Sequence, residues 1–466
     1  MTDTIIAPAT TPGTGAISLV RISGPDCFRY TDAVVQLKRG TISESDAYTI
    51  HFGSVAGLDD VLVSVFRAPH SYTGEDSVEI SCHASRYVVE ELIRKLLSAG
   101  CRMAAPGEFT RRAFMNGKMD LAQAEAVADL ISSTTEASHR VAYNQLKGGY
   151  SARLGALREE LVEMTSLLEL ELDFSEEDVE FADRSRLLNL VDRTRSHVES
   201  LADTFKLGNA IRSGVPVAII GGTNVGKSTL LNALIGDDRA LVSEVAGTTR
   251  DTVEEVVNLE GILFRFIDTA GIRETSETVE KMGIERTFRK ISEAEIVLCV
   301  LDITENENVL LNNLEEMLKA VDLAVQKVVI CLNKSDLAVP FDVNKKVSSI
   351  NKFVSCFDKE IIVSEMSAKD GSGLPDLQTT LVRLEQHLIP LEDSTFVTNI
   401  RHYEALRQTA SALSGARLGL TSGLPADLVA EDLRRAISSL NQILGQDLID
   451  PETVLRDIFG KHCIGK

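Results

Sequence analysis

The sequence predicts an α/β protein combined with an all-α portion, and three observations predict it. Residues 213–375 alternate buried strand runs with helices and set a glycine-rich loop behind the first strand, the pattern of a doubly wound, mostly parallel sheet. Residues 119–212 and 376–466 read as long amphipathic helices, with Leu154, Leu157, Leu161 and Leu168 spaced for one helical face and Leu433, Ile437, Leu440 and Leu444 for another. Residues 1–118 hold short strands separated by turns rich in Pro, Thr and Gly. The similar texture of the two helical stretches predicts one discontinuous helical domain, with 213–375 inserted into a surface loop of it.

Within the first stretch, apolar alternation predicts strands over 4–9, 16–23, 61–68 and 78–82 and a helix over 85–98. In the inserted stretch, strands are expected at 215–220, 264–267, 296–301, 328–332 and 361–366. An acidic run at 175–178 interrupts the first helical stretch, and Asp450-Pro451 is a start signal for a last short helix.

Composition bounds the function. A chain of 466 residues, 44% hydrophobic and 25% charged, is long enough for two to four cored domains and excludes wholesale disorder. The net charge of −21 argues against a general coat for nucleic acid, because a phosphate backbone would be repelled. Seven scattered cysteines without a Cys-x-x-Cys signal neither a disulfide framework nor a zinc site, which fits a reducing cytoplasm. The opening MTDTIIAPATTPG lacks a basic segment before an apolar one, so no export signal is expected. The apolar runs at 215–220 and 296–301 are too short to cross a bilayer, so no membrane association is expected.

The chemistry is concentrated in one series of motifs. Gly221, four residues, then Gly226-Lys227-Ser228 match the phosphate-binding loop. Backbone N–H groups of Asn224, Val225, Gly226 and the helix start through Thr229 can turn onto phosphate oxygens, Lys227 can reach the β and γ phosphates, and Ser228 can ligate Mg²⁺. The strand at 264–267 runs into Asp268-Thr269-Ala270-Gly271, where an acid can hold the metal through water and a glycine N–H can meet the γ-phosphate. Asn333-Lys334-Ser335-Asp336 supplies a carboxylate able to accept the two N–H groups of guanine, and Ser367-Ala368-Lys369 follows the next strand. In this order, each at a strand's carboxyl end, the motifs specify GTP over ATP.

These motifs resemble those of the translation-factor-related GTPases. GGTNVGKSTLLNAL, AGTTRD at 246–251, DTAG and NKSD more closely resemble the tRNA-modifying GTPases of the MnmE or TrmE family. Ile272 stands where small GTPases place the glutamine that orients the attacking water, and an isoleucine cannot do so. Asn224 is either an asparagine chosen for turn conformation or a ligand for a monovalent cation beside the phosphates. The resemblance implies the second. K⁺ would be bound by Asn224 with Ser243, Val245 and Thr248, while Thr249 joins Ser228 on Mg²⁺ and Glu244, Ala246 and Gly247 complete the nucleotide loop. For the missing glutamine it implies Glu280, with Glu277 and Glu285 nearby. Glu280, Lys227 and Asn224 are thus the expected catalytic residues.

Residues 11–24, 71–83, 106–131 and the terminal Cys463-Ile464-Gly465-Lys466 extend the resemblance over the chain, with His462 where an aromatic is common. It implies that residues 1–118 bind 5,10-methylene- or 5-formyl-tetrahydrofolate through Arg21, Glu79, Lys118 and Lys466, and that this domain forms a homodimer. Cys463 is either an inert thiol or a tail nucleophile activated by its basic neighbours. The implied activity is K⁺-dependent GTP hydrolysis coupled to an aminomethyl-type or carboxymethylaminomethyl modification at C5 of the tRNA wobble uridine. An FAD-using partner, MnmG (GidA), would supply the redox chemistry. The other readings are a ribosome-associated assembly GTPase, and a folate-consuming enzyme merely regulated by GTP.

Overall fold

The computed structural model describes residues 3–173, 184–236, 254–267, 291–357, 359–386, 395–446, 458, 459 and 465. The chain divides into two compact units: 1–132, 142–199 and 404–466 form the first, and 133–141 with 200–403 form the second.

The first unit contains a seven-stranded sheet and a set of helices. Its strands are β1 (Ile5–Pro8), β2 (Ile17–Ser23), β3 (Val35–Leu37), β4 (Thr49–Val55), β5 (Asp59–Phe66), β6 (Ser77–His83) and β7 (Arg102–Met103), in the spatial order β3-β4-β5-β6-β2-β1-β7. All neighbours are antiparallel except β1 and β7. Strict alternation turns Val20, Ile22, Val63, Val78 and Ile80 to one face, where Leu92 and Leu96 of the helix Arg86–Ala99 cover them. The opposite face of β2 and β6 carries Arg21 directly across from Glu79. Strands β3, β4 and β7 and the helix Cys27–Asp32 go beyond the elements expected from apolar patterning.

The helical part of this unit is built on Gly149–Asp173 and Ala426–Leu444, which run against each other. Leu154, Leu157, Leu161 and Leu168 of one are buried, as are Val429, Leu433, Leu440 and Leu444 of the other, while Ile437 is half-buried. Polar ties close the pair: Arg158 Nε donates to Asn441 Oδ1 at 2.6 Å and Arg434 meets Glu169 at 2.8 Å. Helices remote in sequence therefore share one core.

The second unit is a doubly wound sheet of β8 (Val215–Ile220), β9 (Glu254–Leu259), β10 (Ile262–Ile267), β11 (Ile296–Asp302), β12 (Lys327–Asn333) and β13 (Ile361–Glu365). The order is β13-β12-β11-β8-β10-β9, parallel throughout except for the β9–β10 hairpin. Both faces are covered, which is why the strand sequences read as nearly unbroken apolar runs. On one face Val217, Ile219, Leu298 and Val300 meet Leu230, Leu234, Leu377 and Leu381; on the other Ala218, Val297, Cys299 and Leu301 meet Leu310, Leu314 and Ile350. The parallel strands discharge their loops at one edge, the place where such sheets bind ligands. Among the described residues no helix is long and apolar enough to cross a membrane.

Candidate functional site

Strand β8 delivers the loop at 221–226 to the helix Lys227–Ile235. Asn224 sits in the left-handed region at φ +59°, which asparagine tolerates better than most residues, and it is exposed. Gly226 caps the helix at φ +99°, and a Cβ there would strike the Asn333 amide. Lys227 Nζ folds back over the loop and donates to the carbonyls of Gly221 at 3.0 Å and Gly222 at 2.7 Å. Ser228 and Thr229 are exposed on the first helical turn, where a hydroxyl is open to a cation and the N–H groups to an anion.

The loops after β12 and β13 are cross-linked by side chains. Asn333, buried at the end of β12, donates from Nδ2 to the Val225 carbonyl and accepts from the Ala368 N–H, both at 2.8 Å. It thus joins the phosphate loop to the loop after β13. Ser367, fully buried, donates to Asp336 Oδ1 at 2.8 Å. Asp336 lies exposed in the 3-10 turn Ser335–Leu337, and Lys369 is exposed beside Ala368. Lys334 Nζ bonds Asp302 Oδ2 at 2.6 Å. Burial works against ionisation of Asp302, but hydrogen bonds from Lys334 and Thr304 outweigh it and hold the carboxyl below its ordinary range. The motif spacing does not single out Asp302. The signal lies in register: Asp302 pairs with Asn333 across β11 and β12, which places it beside Lys334.

A second cluster lies on the first unit. Arg21 Nε donates to Glu79 Oε1 at 2.8 Å and Nη1 to the Gly465 carbonyl at 3.3 Å. The guanidinium also lies 5.3 Å from the Tyr72 ring centre and 5.8 Å from that of Phe109. Gly465 has φ +101° and a Cβ there would strike the Pro8 carbonyl, so a side chain at this position would clash with β1. The structure therefore brings Arg21, Glu79 and Gly465 together. Lys118 Nζ instead donates to the Pro69 carbonyl at 3.0 Å, on the loop that leads to Tyr72. Tyr72 and Phe109 fall within stretches that carry the resemblance, yet their ring positions become visible only in three dimensions.

Ser243, Glu244, Val245, Ala246, Gly247, Thr248, Thr249, Asp268, Thr269, Ala270, Gly271, Glu280, Cys463 and Lys466 lie outside the described residues.

Two family models match: the TrmE N-terminal domain of GTP-binding proteins over residues 4–118 and the MnmE helical domain over residues 121–463. The chain belongs to the MnmE (TrmE) family of tRNA modification GTPases. It is 46% identical over 470 residues to the tRNA modification GTPase MnmE of Bacteroides thetaiotaomicron, covering 100% of this chain and 99% of that one. The Bacteroides fragilis MnmE is 47% identical with the same coverage. Among solved structures, Aquifex aeolicus Era bound to GDP.AlF4⁻ is 28% identical, covering 42% of this chain and 66% of that one with a TM-score of 0.29.

Proposed function

We propose that this chain hydrolyses GTP to drive modification of the tRNA wobble uridine at C5, together with an FAD-dependent partner and a one-carbon tetrahydrofolate. The observation that carries the GTP part is the bonding of Asn333 to both the phosphate loop and Ala368. One side chain thereby sets the distance between phosphate and base ends, and Asp336 is left with an oxygen for the N–H groups of guanine.

Two cations belong to this reading. Mg²⁺ suits the exposed Ser228 hydroxyl at the helix start, with Thr249 as second protein ligand. K⁺ suits the exposed carbonyl-bearing side chain of Asn224, with Ser243, Val245 and Thr248, and would supply positive charge where negative charge develops on the phosphates. Lys227 and the loop N–H groups orient the nucleotide, while Glu280 orients the water in place of the glutamine that Ile272 cannot mimic.

Folate suits the cluster at Arg21. A guanidinium backed by two aromatic faces and paired with a single carboxylate offers donors to the folate's acids and Glu79 offers acceptors to its ring N–H groups. Lys118 and Lys466 would add charge for the folate's acids. Exposed Ile50, Phe52 and Leu62 on the outer face of β4 and β5 support homodimer formation through this sheet. The net charge of −21 fits a complex in which the partner makes most of the tRNA contact.

The test is GTP turnover in K⁺ against Na⁺, with wild type and Glu280→Ala. Turnover should be markedly faster in K⁺, and the variant should lose the stimulated rate by about a hundredfold or more. Equal rates in the two salts would remove the cation from Asn224, and an intact variant would remove Glu280. An unchanged wobble-nucleoside profile in cells lacking the protein would remove the tRNA part alone.

A further inference from the structure

We propose that Asp302 is a positioning residue of the guanine site: it captures Lys334 and so keeps that ammonium from pairing with Asp336. The inference rests on Asp336 being the carboxylate that reads guanine. Lys334 and Asp336 are two residues apart in one tight turn, so a lysine with ordinary rotamer freedom would reach that carboxylate. An ammonium on Asp336 would compete with the guanine N1–H and 2-amino group for the same oxygens.

The structure shows the competition resolved. Lys334 is held at φ +66° and its Nζ lies 2.6 Å from Asp302 Oδ2. The other oxygen, Asp302 Oδ1, accepts from the Thr304 hydroxyl at 2.6 Å and the Thr304 N–H at 3.0 Å, so the carboxylate is anchored. The Ile303 N–H donates to the Asn333 carbonyl at 3.0 Å, locking the end of β11 to the end of β12. Asp336 takes the uncharged Ser367 hydroxyl instead, and among the described residues no ion pair joins it to Lys334. The Asp302 and Lys334 side chains are 13% and 29% exposed, dry enough for the pair to persist in salt.

The experiment measures equilibrium affinity of the full chain for GDP and for inosine diphosphate, which lacks the 2-amino group. Five proteins are compared: wild type, Asp302→Asn, Asp302→Glu, Lys334→Met and the double variant Asp302→Asn with Lys334→Met. Asp302→Asn should weaken GDP by about tenfold and narrow the preference for GDP over inosine diphosphate, because the released lysine occupies Asp336. In the Lys334→Met background the same change should alter GDP affinity less than twofold, since no ammonium is left to restrain. A general structural role would give equal losses in both backgrounds and overturns the proposal, as does an Asp302→Asn protein that binds like wild type. Asp302→Glu, which keeps the charge, should recover most of the affinity; failure to do so also counts against it. If wild type itself shows no preference for GDP, the guanine assignment of Asp336 is what fails.

Discussion

Two arginines of the first unit make opposite use of the same guanidinium. Arg112 is wholly buried and meets three carboxylates, with Asp3 at 2.9 Å and Glu75 and Glu108 each at 3.1 Å. Glu108 is shared with Arg102 at 2.6 Å, so the charges form a closed network tying the first residues, the 69–76 loop and the helix Glu108–Met115 together. Arg21 meets a single carboxylate, is 17% exposed, and spends its other surface on ring faces and a backbone carbonyl. Its charge is half answered. The difference teaches that an arginine gathering several carboxylates is a strut, whereas one given a single acid and two aromatic walls leaves part of its guanidinium unclaimed by acids.

The comparison breaks most visibly at the strut. Arg112→Met should cost about 3–5 kcal/mol in chemical unfolding of the first unit, because three carboxylates lose a buried partner. A loss under about 1 kcal/mol would show that the network is not structural. Next in size is acid sensitivity. Hydrogen bonding to Arg102 is the largest influence on Asp3 and lowers it, whereas for Glu108 burial comes first and raises it but is outweighed by hydrogen bonds from Arg102, the Ala105 N–H and Arg112. Both folded values therefore lie below the ordinary 3.8 and 4.5. The unfolded chain takes up these protons first, so the stability they contribute is present above the ordinary values and is lost as pH falls through the lower folded ones. Unfolding midpoints from pH 6 to 3 should drop for wild type and much less for Arg102→Met, which removes the leading charged partner of both acids. Smallest in stability is Arg21→Met, expected below about 1 kcal/mol for a partly exposed pair. That variant should nevertheless lose 5-formyl-tetrahydrofolate binding by about tenfold or more in calorimetry, and an unchanged affinity would place the folate elsewhere.

The buried strands of the second unit are legible in sequence because both sheet faces are covered. The runs at β8, β11 and β12 are apolar at nearly every position, and β8 leads directly into the phosphate loop while β12 ends in Asn333. Strand β4 is not legible for the opposite reason. Its outward residues include Ile50 and Phe52 and its inward ones His51 and Gly53, so polarity does not follow the pleat. Strands β3 and β7 have three and two residues, too few to show a period. At the site, the motifs gave Asn333, Asp336 and Lys227 by spacing alone. What spacing cannot give is pairing across strands: Asp302 meets Lys334, and Arg112 gathers acids from positions 3, 75 and 108, only once the register is known.

The glycine at 226 and the amide of Asn333 occupy touching space. Neither position can drift alone: a methyl group at 226 evicts the amide, and loss of the amide frees three loops at once. Substitutions at the two sites are thus coupled, and a variant library of this chain should recover them as an inseparable pair.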